Sequence, residues 1–331
     1  MIKWYLIREI KKQERPVLAI DIGGTKIAIA IISEQGEVLA RHNQPTAASE
    51  GPPGVIERIL SGIDSLLEAG NLRPSQLSAI SLATAGVIDI RKNLVTTSPN
   101  LPGWHNVPLR GIIAEKYRIP TYLLNDADAA ALGEHHFRAG RRPNTLILLT
   151  LGTGIGGGII IDGRLYLGST GSAAELGHMV IDVNGPVCAC GRNGCLEALA
   201  SGSAVAREAI SRVRRGGLSA LIKMVDGKIE NITAETVHTA AKEGDELASE
   251  VIAQAAYYLG IGVVNLINIF NPEMVVIGGS MADMGDLLLQ PVRQMVAERA
   301  FPLYSQAVQI VPAQLGNDAG LFGAAIFALE Q

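Results

Sequence analysis

The chain has few aromatic residues, few cysteines and no long run of one charge sign. Phe, Trp and Tyr make up 4% of its 331 residues whereas hydrophobic residues make up 48%, so we expect a core of aliphatic side chains. No five consecutive like charges occur, and the formal net charge is −4 at neutral pH. This balance gives no electrostatic basis for binding nucleic-acid phosphates, and no nucleic-acid partner is expected.

The sequence also lacks an uninterrupted apolar stretch of about 18 residues, the length needed to cross a membrane. Residues 1–16, MIKWYLIREIKKQERP, contain a brief apolar patch that charged residues interrupt, which does not match a secretory signal. We therefore expect a cytoplasmic protein without a membrane partner. In that reducing compartment clustered cysteines indicate metal binding or catalysis rather than a disulfide framework. Residues 1–16 are expected to form an extension, either an extra helix or a mobile tail.

Apolar runs rich in β-branched residues predict four strands, each bordered by glycine-rich turns. They are Val17–Ile22, Ile27–Ile32, Leu146–Leu151 and Ile159–Ile161. Each pair gives a strand, a polar glycine turn and a second strand, which indicates one supersecondary unit used twice. We favour a duplicated α/β domain with the glycine turns facing a cleft between the halves. Two unrelated hairpins are the alternative.

Helices are predicted where apolar residues recur every three or four positions. The first covers residues 54–70 and closes at Gly70, and the second covers Glu250–Phe270 and stops before Pro272. A buried strand at Met274–Ser280 and a closing helix at Ala319–Glu330 complete the alternation of helices and strands that is typical of an α/β fold.

The second glycine loop, Gly152–Gly157, formally matches the dinucleotide-binding pattern G-x-G-x-x-G. We reject the match because that pattern opens a helix, whereas this sequence continues as a strand and a turn through Asp162 and Gly163. Neither glycine loop has the spacing of a P-loop. Such turns still allow several backbone N–H groups to converge on phosphate oxygens, so two of them facing one cleft would hold a triphosphate.

In the first glycine loop Asp21 stands at the strand end, before Gly23, Gly24, Thr25 and Lys26. A carboxylate there would hold Mg²⁺ through water, and Mg²⁺ pairs with substrate phosphates. Thr25 adds a hydroxyl and Lys26 a positive charge. A turn-capping role for Asp21 is the alternative.

A candidate catalytic base lies where a predicted strand gives way to an alanine-rich helix, at Asn125 and Asp126. Asp126 would accept a proton from a hydroxyl that attacks a γ-phosphoryl group. It would equally suit a helix N-cap. Asp128 is a competing carboxylate that spacing does not separate from Asp126.

Together these motifs resemble the ROK family of sugar kinases and sugar-responsive repressors, in the actin-like/hexokinase superfamily. The resemblance runs from about Val17 to the end of the chain. Its motifs are DIGGTK, NDADAAALGE, LGTGIGGG, AAELGHM, CACGRNGCLE, NLINIFNPEMVVIGGS and LGNDAGLFGAA. Repressor members carry a helix-turn-helix ahead of the first loop, and the 20 residues before Asp21 are too few for one, so a kinase is favoured.

The resemblance implies an α/β fold with two actin-like (ribonuclease H-like) domains, an interdomain cleft and a small zinc-binding insertion. An N-terminal extension at residues 1–16 would precede a small α/β domain at 17–123. A large domain at 124–316 would include the zinc motif at 178–195. The C-terminal helix, about 317–331, is expected to pack back on the small domain.

The resemblance also implies a role for individual residues. Asp126 would be the catalytic base, although Asp128 stands where members often have asparagine, and this keeps the choice of base open. The residues expected to bind the nucleotide and its Mg²⁺ are Asp21, Gly23, Gly24, Thr25, Lys26, Gly152, Thr153, Gly154, Gly278 and Gly279. Those expected to hydrogen-bond sugar hydroxyls are Asn100, Asn125, Asp126, Glu175, His178 and Glu197.

All three cysteines, Cys188, Cys190 and Cys195, lie within eight positions, and His178 is ten residues upstream of the first. Three thiolates and an imidazole form a closed tetrahedral set, which fits structural Zn²⁺ and leaves no open position for metal catalysis. The resemblance implies the same four ligands. A disulfide pair or an unligated buried cluster are the alternatives. His178 would serve zinc with one ring nitrogen and the sugar or another acceptor with the other.

The expected activity is ATP- and Mg²⁺-dependent phosphorylation of a hexose, most simply glucose at C6. The segment SPNLPGWHNVPL at residues 98–109 resembles the corresponding loop of the family's bacterial glucokinases. Kinases of N-acetylmannosamine, mannose, fructose or allose share the same core motifs and remain alternatives. A sugar-sensing regulator is the non-enzymatic alternative. Relatives imply a homodimer or homotetramer.

Overall fold

A computed structural model describes residues 3–6, 15–137 and 143–331 of the chain. These residues form two compact units. The first takes in the described chain up to residue 137 together with Leu165–Ala174 and Asn317–Gln331, and the second comprises Pro143–Arg164 and Glu175–Gly316.

The described residues contain strands and helices in alternation. The strands are Lys3–Leu6 (β1), Val17–Ile22 (β2), Lys26–Ile32 (β3), Val38–Pro45 (β4), Ala79–Thr84 (β5), Val87–Asp89 (β6), Leu94–Thr97 (β7), His105–Val107 (β8), Thr121–Asn125 (β9), Leu146–Leu151 (β10), Ile155–Ile161 (β11), Arg164–Leu165 (β12), Met274–Gly278 (β13) and Gln309–Pro312 (β14). The helices are Gly51–Ala69 (α1), Leu109–Tyr117 (α2), Asp126–Phe137 (α3), Leu196–Ala200 (α4), Gly202–Arg214 (α5), Leu221–Met224 (α6), Ala234–Lys242 (α7), Glu246–Phe270 (α8), Asp286–Arg299 (α9), Pro302–Ala307 (α10) and Ala319–Leu329 (α11).

The first unit is built on a six-stranded sheet in the order β1-β4-β3-β2-β5-β9. Strands β2, β3 and β4 form antiparallel pairs, whereas β5 and β9 continue the sheet in parallel from β2. Helix α1 packs on β3 and β4, and α11 packs on β2 and β5. Because most residues of β2 and β3 are buried, these strands read as apolar runs without alternation. A separate three-stranded sheet, β6-β7-β8, belongs to the same unit.

Helix α3 belongs to the first unit because it packs closely against α11. A side chain at Gly323 would meet the Ala129 carbonyl, and one at Gly133 would meet the Ala319 carbonyl, so the two helices touch through their backbones. The domain boundary expected between residues 123 and 124 falls inside β9, which is hydrogen-bonded within the first sheet. The C-terminal helix, residues 319–329, lies in this unit as well.

The N-terminal extension contributes a strand rather than a helix. Lys3–Leu6 pairs antiparallel with β4, with Lys3 opposite Asn43 and Leu6 opposite Ala40. Aromatic residues such as Trp4 and Tyr5 favour strands, and the edge of a sheet offers unpaired backbone groups to such a segment. Residues 1–2 and 7–14 of the extension lie outside the described residues.

The second unit contains a five-stranded sheet in the order β12-β11-β10-β13-β14. Its antiparallel β10–β11 hairpin is followed by parallel strands β13 and β14 beside β10. This is the arrangement of the β2–β3 hairpin with β5 and β9 in the first unit, so the supersecondary unit recognised in the sequence is used twice.

Helix α8 is long and apolar enough to cross a membrane by length and composition, but 56% of its apolar window is buried inside the protein. It packs against α4, α5, α7 and α9, which makes it the core helix of the second unit. The helix begins four residues before the predicted start because Asp245 caps it by accepting a hydrogen bond from the Ala248 N–H at 2.8 Å. It ends at Phe270, and the next residue, Asn271, takes the left-handed conformation just before Pro272.

Helix α1 begins at Gly51, three residues before the predicted start, and ends at Ala69. A glycine that closes a helix commonly takes the left-handed conformation, but Gly70 does not. Gly70 keeps a right-handed conformation with φ of −82°, and Asn71 takes the left-handed one with φ of 50°. Asparagine tolerates this conformation better than most residues, so the turn comes one position later.

Candidate functional site

The first glycine loop connects β2 to β3 and is closed by hydrogen bonds at both ends. The Gly23 N–H donates to the Lys26 carbonyl at 3.0 Å, and the Thr46 hydroxyl donates to the Gly23 carbonyl at 2.6 Å. A side chain at Gly24 would lie 3.0 Å from the Cβ of Asn100. Glycine at this position lets the loop pack tightly against Asn100, and Thr25 and Lys26 are exposed.

Asp21 lies on β2 just before this loop, beside a second carboxylate. Burial, followed by the negative charge of Asp126, raises the pKa of Asp21 to about 7, while Lys26 acts in the opposite direction. A side chain at Gly320 of α11 would lie 3.1 Å from the Asp21 carboxylate, so this helix closes over it. Two neighbouring carboxylates fit Mg²⁺. The adjacent loop backbone and the lysine fit phosphate.

Asp126 is the first residue of α3, directly after β9. The Asn125 side chain provides the helix cap, because its oxygen accepts from the Ala127 N–H at 2.8 Å while its amide donates to the Gly86 carbonyl at 2.9 Å. Asp126 also accepts from the Ala127 N–H, at 2.9 Å, and is only partly buried. Asp128 is 3% exposed. Of the two carboxylates, Asp126 is the one that a substrate hydroxyl could reach.

An ion pair beside Asp21 was missed by the sequence reasoning. Arg41 on β4 donates two parallel hydrogen bonds to Asp318, at 2.6 and 2.9 Å, and Asp318 precedes α11. The hydrogen bonds from Arg41 hold the pKa of Asp318 below its usual value. The two charges act on the pKa of Asp21 in opposite directions, since Asp318 raises it and Arg41 lowers it. The motif LGNDAG contains Asp318, and an acidic residue directly before a helix was the signal available in the sequence.

The second glycine loop lies between β10 and β11 and continues as a strand, as expected. The Gly152 N–H donates to the Gly154 carbonyl at 3.0 Å across the turn, which includes Thr153. At the end of the adjacent β13, Gly279 has φ of +83°, and a side chain there would lie 2.3 Å from the Leu151 carbonyl. Gly278 and Gly279 therefore lie close to the strand that leads into this loop, within the second unit.

The four expected metal ligands come together in the second unit. The ligand atoms of His178, Cys188, Cys190 and Cys195 all lie within 4.8 Å of one another. Cys190 and Cys195 have their sulfur atoms 3.6 Å apart, and Cys188 Sγ is 3.7 Å from His178 Nδ1. Zinc–sulfur bonds of about 2.3 Å in a tetrahedron place sulfurs roughly 3.8 Å apart, so the cluster fits Zn²⁺. All three cysteines are free thiols, and the disulfide alternative is wrong.

His178 presents its two ring nitrogens to different partners. Nδ1 faces the Cys188 sulfur, whereas Nε2 is 3.9 Å from a carboxylate oxygen of Glu175. Glu175 is 51% exposed, so the Nε2 side of the ring and this carboxylate form an accessible polar pair. Such a division lets one nitrogen bind a metal while the other contacts a second group.

Glu197, the third acidic residue expected to bind sugar, has protein partners on both carboxylate oxygens. Oε2 accepts a hydrogen bond from the Ile155 N–H at 3.0 Å, and Oε1 lies 3.5 Å from the Cys188 sulfur. This contact between the cysteine cluster and the second glycine loop was not expected from the sequence. No sequence signal pairs residues 155 and 197, because the contact depends on how α4 folds back.

Comparison with known proteins places the chain among proteins of one family. A family model described as "ROK family" matches residues 17–331. The glucokinase of Thermotoga maritima is 36% identical over 315 residues, which is 95% of this chain and 98% of that protein. An N-acetylmannosamine kinase of Shigella flexneri is 33% identical over 94% of this chain and 98% of that protein.

Among solved structures, a ROK family glucokinase from Streptomyces griseus in complex with glucose and AMPPNP resembles this chain with a TM-score of 0.81. The two are 34% identical, and the match covers 96% of this chain and 100% of that one. The fold expected from the motifs is thereby confirmed.

Proposed function

The chain belongs to the ROK family, and on that premise we propose that it is a glucokinase that transfers the γ-phosphoryl group of ATP to the C6 hydroxyl of glucose. The observation that carries this function is that Asp21 near the end of β2 and Asp126 directly after β9 lie at the same end of one sheet, on either side of β5, with the first glycine loop following β2. The relatives support the choice of sugar, since glucokinases match nearly the whole chain at 34–36% identity.

Asp126 is proposed as the catalytic base, because its carboxylate is partly exposed at the end of β9 and carries charge next to a candidate Mg²⁺ carboxylate. It would accept the proton of the sugar hydroxyl as that oxygen attacks phosphorus. Asn125 is locked between Gly86 and Ala127 by its side-chain hydrogen bonds, so it holds the start of α3 in place. Burial of Asp128 argues against it as the base.

The nucleotide is proposed to bind to the two glycine loops. In the first unit the backbone N–H groups of Gly24 and Thr25 would face the phosphates, Gly23 would shape the turn through its own hydrogen bond to Lys26, Lys26 would add positive charge, and Asp21 would hold Mg²⁺. In the second unit Gly152 would close the turn through its hydrogen bond to Gly154, Thr153 and Gly154 would line the phosphates, and Gly278 and Gly279 would leave room near the loop for the adenosine. Bound Mg²⁺ supplies charge neutralisation for the transferring phosphoryl group.

The residues proposed to pair with hexose hydroxyls are Asn100, Asn125, Asp126, Glu175 and His178. A set of polar groups that must all find partners rejects sugars lacking one hydroxyl, since an unpaired buried group is costly. Glu197 is kept in the proposed set, although its carboxylate already has protein partners.

Structural zinc is proposed at His178, Cys188, Cys190 and Cys195. The distances within the cluster and its donor chemistry support Zn²⁺, and the closed ligand set assigns the metal to structure rather than to chemistry. Burial raises the pKa of the Cys188 and Cys195 thiols, so metal binding would have to release their protons.

The protein is further proposed to act in the cytoplasm, without nucleic-acid or membrane partners, and as a homodimer or homotetramer. Light scattering coupled to size-exclusion chromatography tests the oligomer, and a monomer at micromolar concentration would contradict it.

N-acetylmannosamine is the second candidate substrate, because a kinase of that sugar matches the chain almost as completely as the glucokinases do. Coupled measurement of ADP release with glucose, N-acetylmannosamine, N-acetylglucosamine, mannose and fructose tests the proposal. We expect the highest kcat/KM with glucose. A preference for N-acetylmannosamine would reassign the substrate, and glucose binding without turnover of any sugar would favour a sugar-sensing regulator.

A further inference from the structure

The second glycine loop is held in place by residues next to the proposed metal ligands. Gly177, which precedes His178, packs on the Ile155 carbonyl so tightly that a side chain there would lie 2.1 Å from the carbonyl oxygen. Glu197, two residues after Cys195, accepts the hydrogen bond of the Ile155 N–H at 3.0 Å. The Ile155 backbone is thus held at its carbonyl by packing against Gly177 and at its N–H group by the hydrogen bond to Glu197.

Glu197 also contacts the glycine of the loop itself. A Cβ atom at Gly154 would lie 2.4 Å from Glu197 Oε2, so the carboxylate occupies the space that any other residue would need. Immediately after α4, the Gly202 N–H donates to the Gly152 carbonyl at 2.8 Å. The loop from Gly152 to Ile155 is therefore shaped by α4 and the residues around it, and Glu197 makes the charged contact.

The backbone connects this contact directly to the cysteine cluster. Cys195 is the residue before α4, and Val180 forms a β-bridge with it. The Leu196 N–H donates to the Met179 carbonyl at 2.8 Å, which ties the segment after His178 to the segment that carries Glu197. Gly177 and Glu197 are the two residues that contact the Ile155 backbone. A metal that joins His178 and Cys195 would therefore fix Gly177 and Glu197 relative to each other.

From this geometry we infer that Glu197 is a positioning residue that couples the metal-binding motif to the Gly152–Ile155 loop and so sets the affinity for ATP. This inference rests on the proposed function, because it takes that loop as a phosphate-binding loop. Under this inference Glu197 and the metal affect nucleotide binding, whereas a residue that only binds sugar would not.

The test measures the affinity for AMPPNP by calorimetry without sugar, in wild type and in Glu197→Ala, Glu197→Gln and Glu243→Ala. Loss of a hydrogen bond to a charged group predicts that Glu197→Ala raises the Kd for AMPPNP about tenfold or more. Glu197→Gln keeps an acceptor oxygen for the Ile155 N–H and is expected to recover part of the affinity. Glu243→Ala, which removes an exposed glutamate of the same unit directly after α7, is the control and should leave the Kd unchanged.

A steric test uses Gly154→Ala, whose new methyl group would collide with the Glu197 carboxylate. The single substitution should weaken AMPPNP binding, and adding Glu197→Ala should relieve the collision. The fold increase in the Kd for AMPPNP in the double variant is then expected to be well below the product of the fold increases in the two single variants. Independent effects would contradict a direct contact between the two side chains.

Amide hydrogen exchange at Ile155 gives a readout that does not depend on nucleotide. It should accelerate in Glu197→Ala and in zinc-depleted wild type, but not in Glu243→Ala. The inference is overturned if Glu197→Ala binds AMPPNP like wild type and Ile155 exchange is unchanged in it. A wild type that fails to bind AMPPNP while Ile155 responds as expected would instead overturn the proposed kinase function.

Discussion

At the residue scale, charges crowd around the first glycine loop. Asp21 and Asp126 repel each other, and Lys26, Arg41 and Asp318 surround Asp21 with opposing effects on its ionisation. An arrangement in which two carboxylates are neighbours becomes favourable once a cation shares their charge. The electrostatics of the loop therefore suit a magnesium nucleotide better than an uncharged ligand.

Replacing the proposed base tests the chemistry. Asp126→Asn keeps the size of the side chain and its acceptor for the Ala127 N–H but cannot accept the substrate proton. We expect kcat to fall by roughly 10²–10⁴ with glucose affinity nearly unchanged. Steady-state kinetics and calorimetry measure the two. Asp128→Asn is the control, and a comparable loss of kcat in that variant alone would assign the base to Asp128.

The ion pair between Arg41 and Asp318 predicts a pH-dependent contribution to stability. Since Arg41 lowers the folded-state pKa of Asp318, the contribution is present above the ordinary Asp pKa of about 4 and is lost as pH falls through the lower folded value. Arg41→Met should lower the free energy of unfolding by about 1 kcal/mol at pH 7, since the pair is partly exposed.

Urea unfolding at pH 7, 5 and 3 measures this difference, which should be the same at pH 7 and 5 and smaller at pH 3. Arg58→Met, which breaks the more exposed pair with Glu50, is the control and should have a smaller effect. A difference for Arg41→Met that grows on acidification would contradict the assignment.

At the element scale, the strands and glycine turns were predictable because their signals are local. The run Val17–Ile22 and the loop after it are specified by buried β-branched residues and by glycine, and the hairpin appears where expected. Helix ends were less accessible, since α8 starts at a cap that lies outside its apolar pattern. The strand at Lys3–Leu6 was missed because it forms only against the edge of β4, which no local pattern reveals.

The cap of α8 offers a stability test. Burial favours a higher pKa for Asp245, but hydrogen bonds from the Ala248 and Ala220 N–H groups and the Ser219 hydroxyl outweigh it and lower the pKa. Asp245→Ala should therefore cost about 1–2 kcal/mol in unfolding free energy, at the upper end for a lost cap. Thermal or urea unfolding measures it. Glu246→Ala, in the same turn without a cap role, should cost less, and equal costs would contradict the cap.

At the scale of the whole molecule, the family and its fold could be predicted because separate motifs had to occur together along 315 residues. The individual side-chain contacts could not be predicted, since contacts such as Arg41–Asp318 and Glu197–Ile155 join positions 277 and 42 residues apart. Each depends on how a distant helix folds back on a strand. The cluster of His178 with the three cysteines was predictable because the spacing and the chemistry of these residues suggest it without a fold.

Zinc removal is expected to affect stability and ligand binding together. Chelation should lower the Tm, by about 2–4 °C for each kcal/mol lost in a domain of this size, and should weaken glucose binding because His178 and Glu175 lose their support. Calorimetry before and after chelation, with zinc added back as the control, measures both. A zinc-free protein that binds and phosphorylates glucose normally would show that the metal does not organise the site.

We propose that this chain phosphorylates glucose with Asp126 as the base, and identification of the reaction product is the most direct test. Wild type incubated with ATP, Mg²⁺ and ¹³C-labelled glucose should yield glucose 6-phosphate by NMR, and Asp126→Asn of equal stability should yield almost none while still binding glucose. Absence of a phosphorylated sugar with wild type, or undiminished product with Asp126→Asn, would contradict the account.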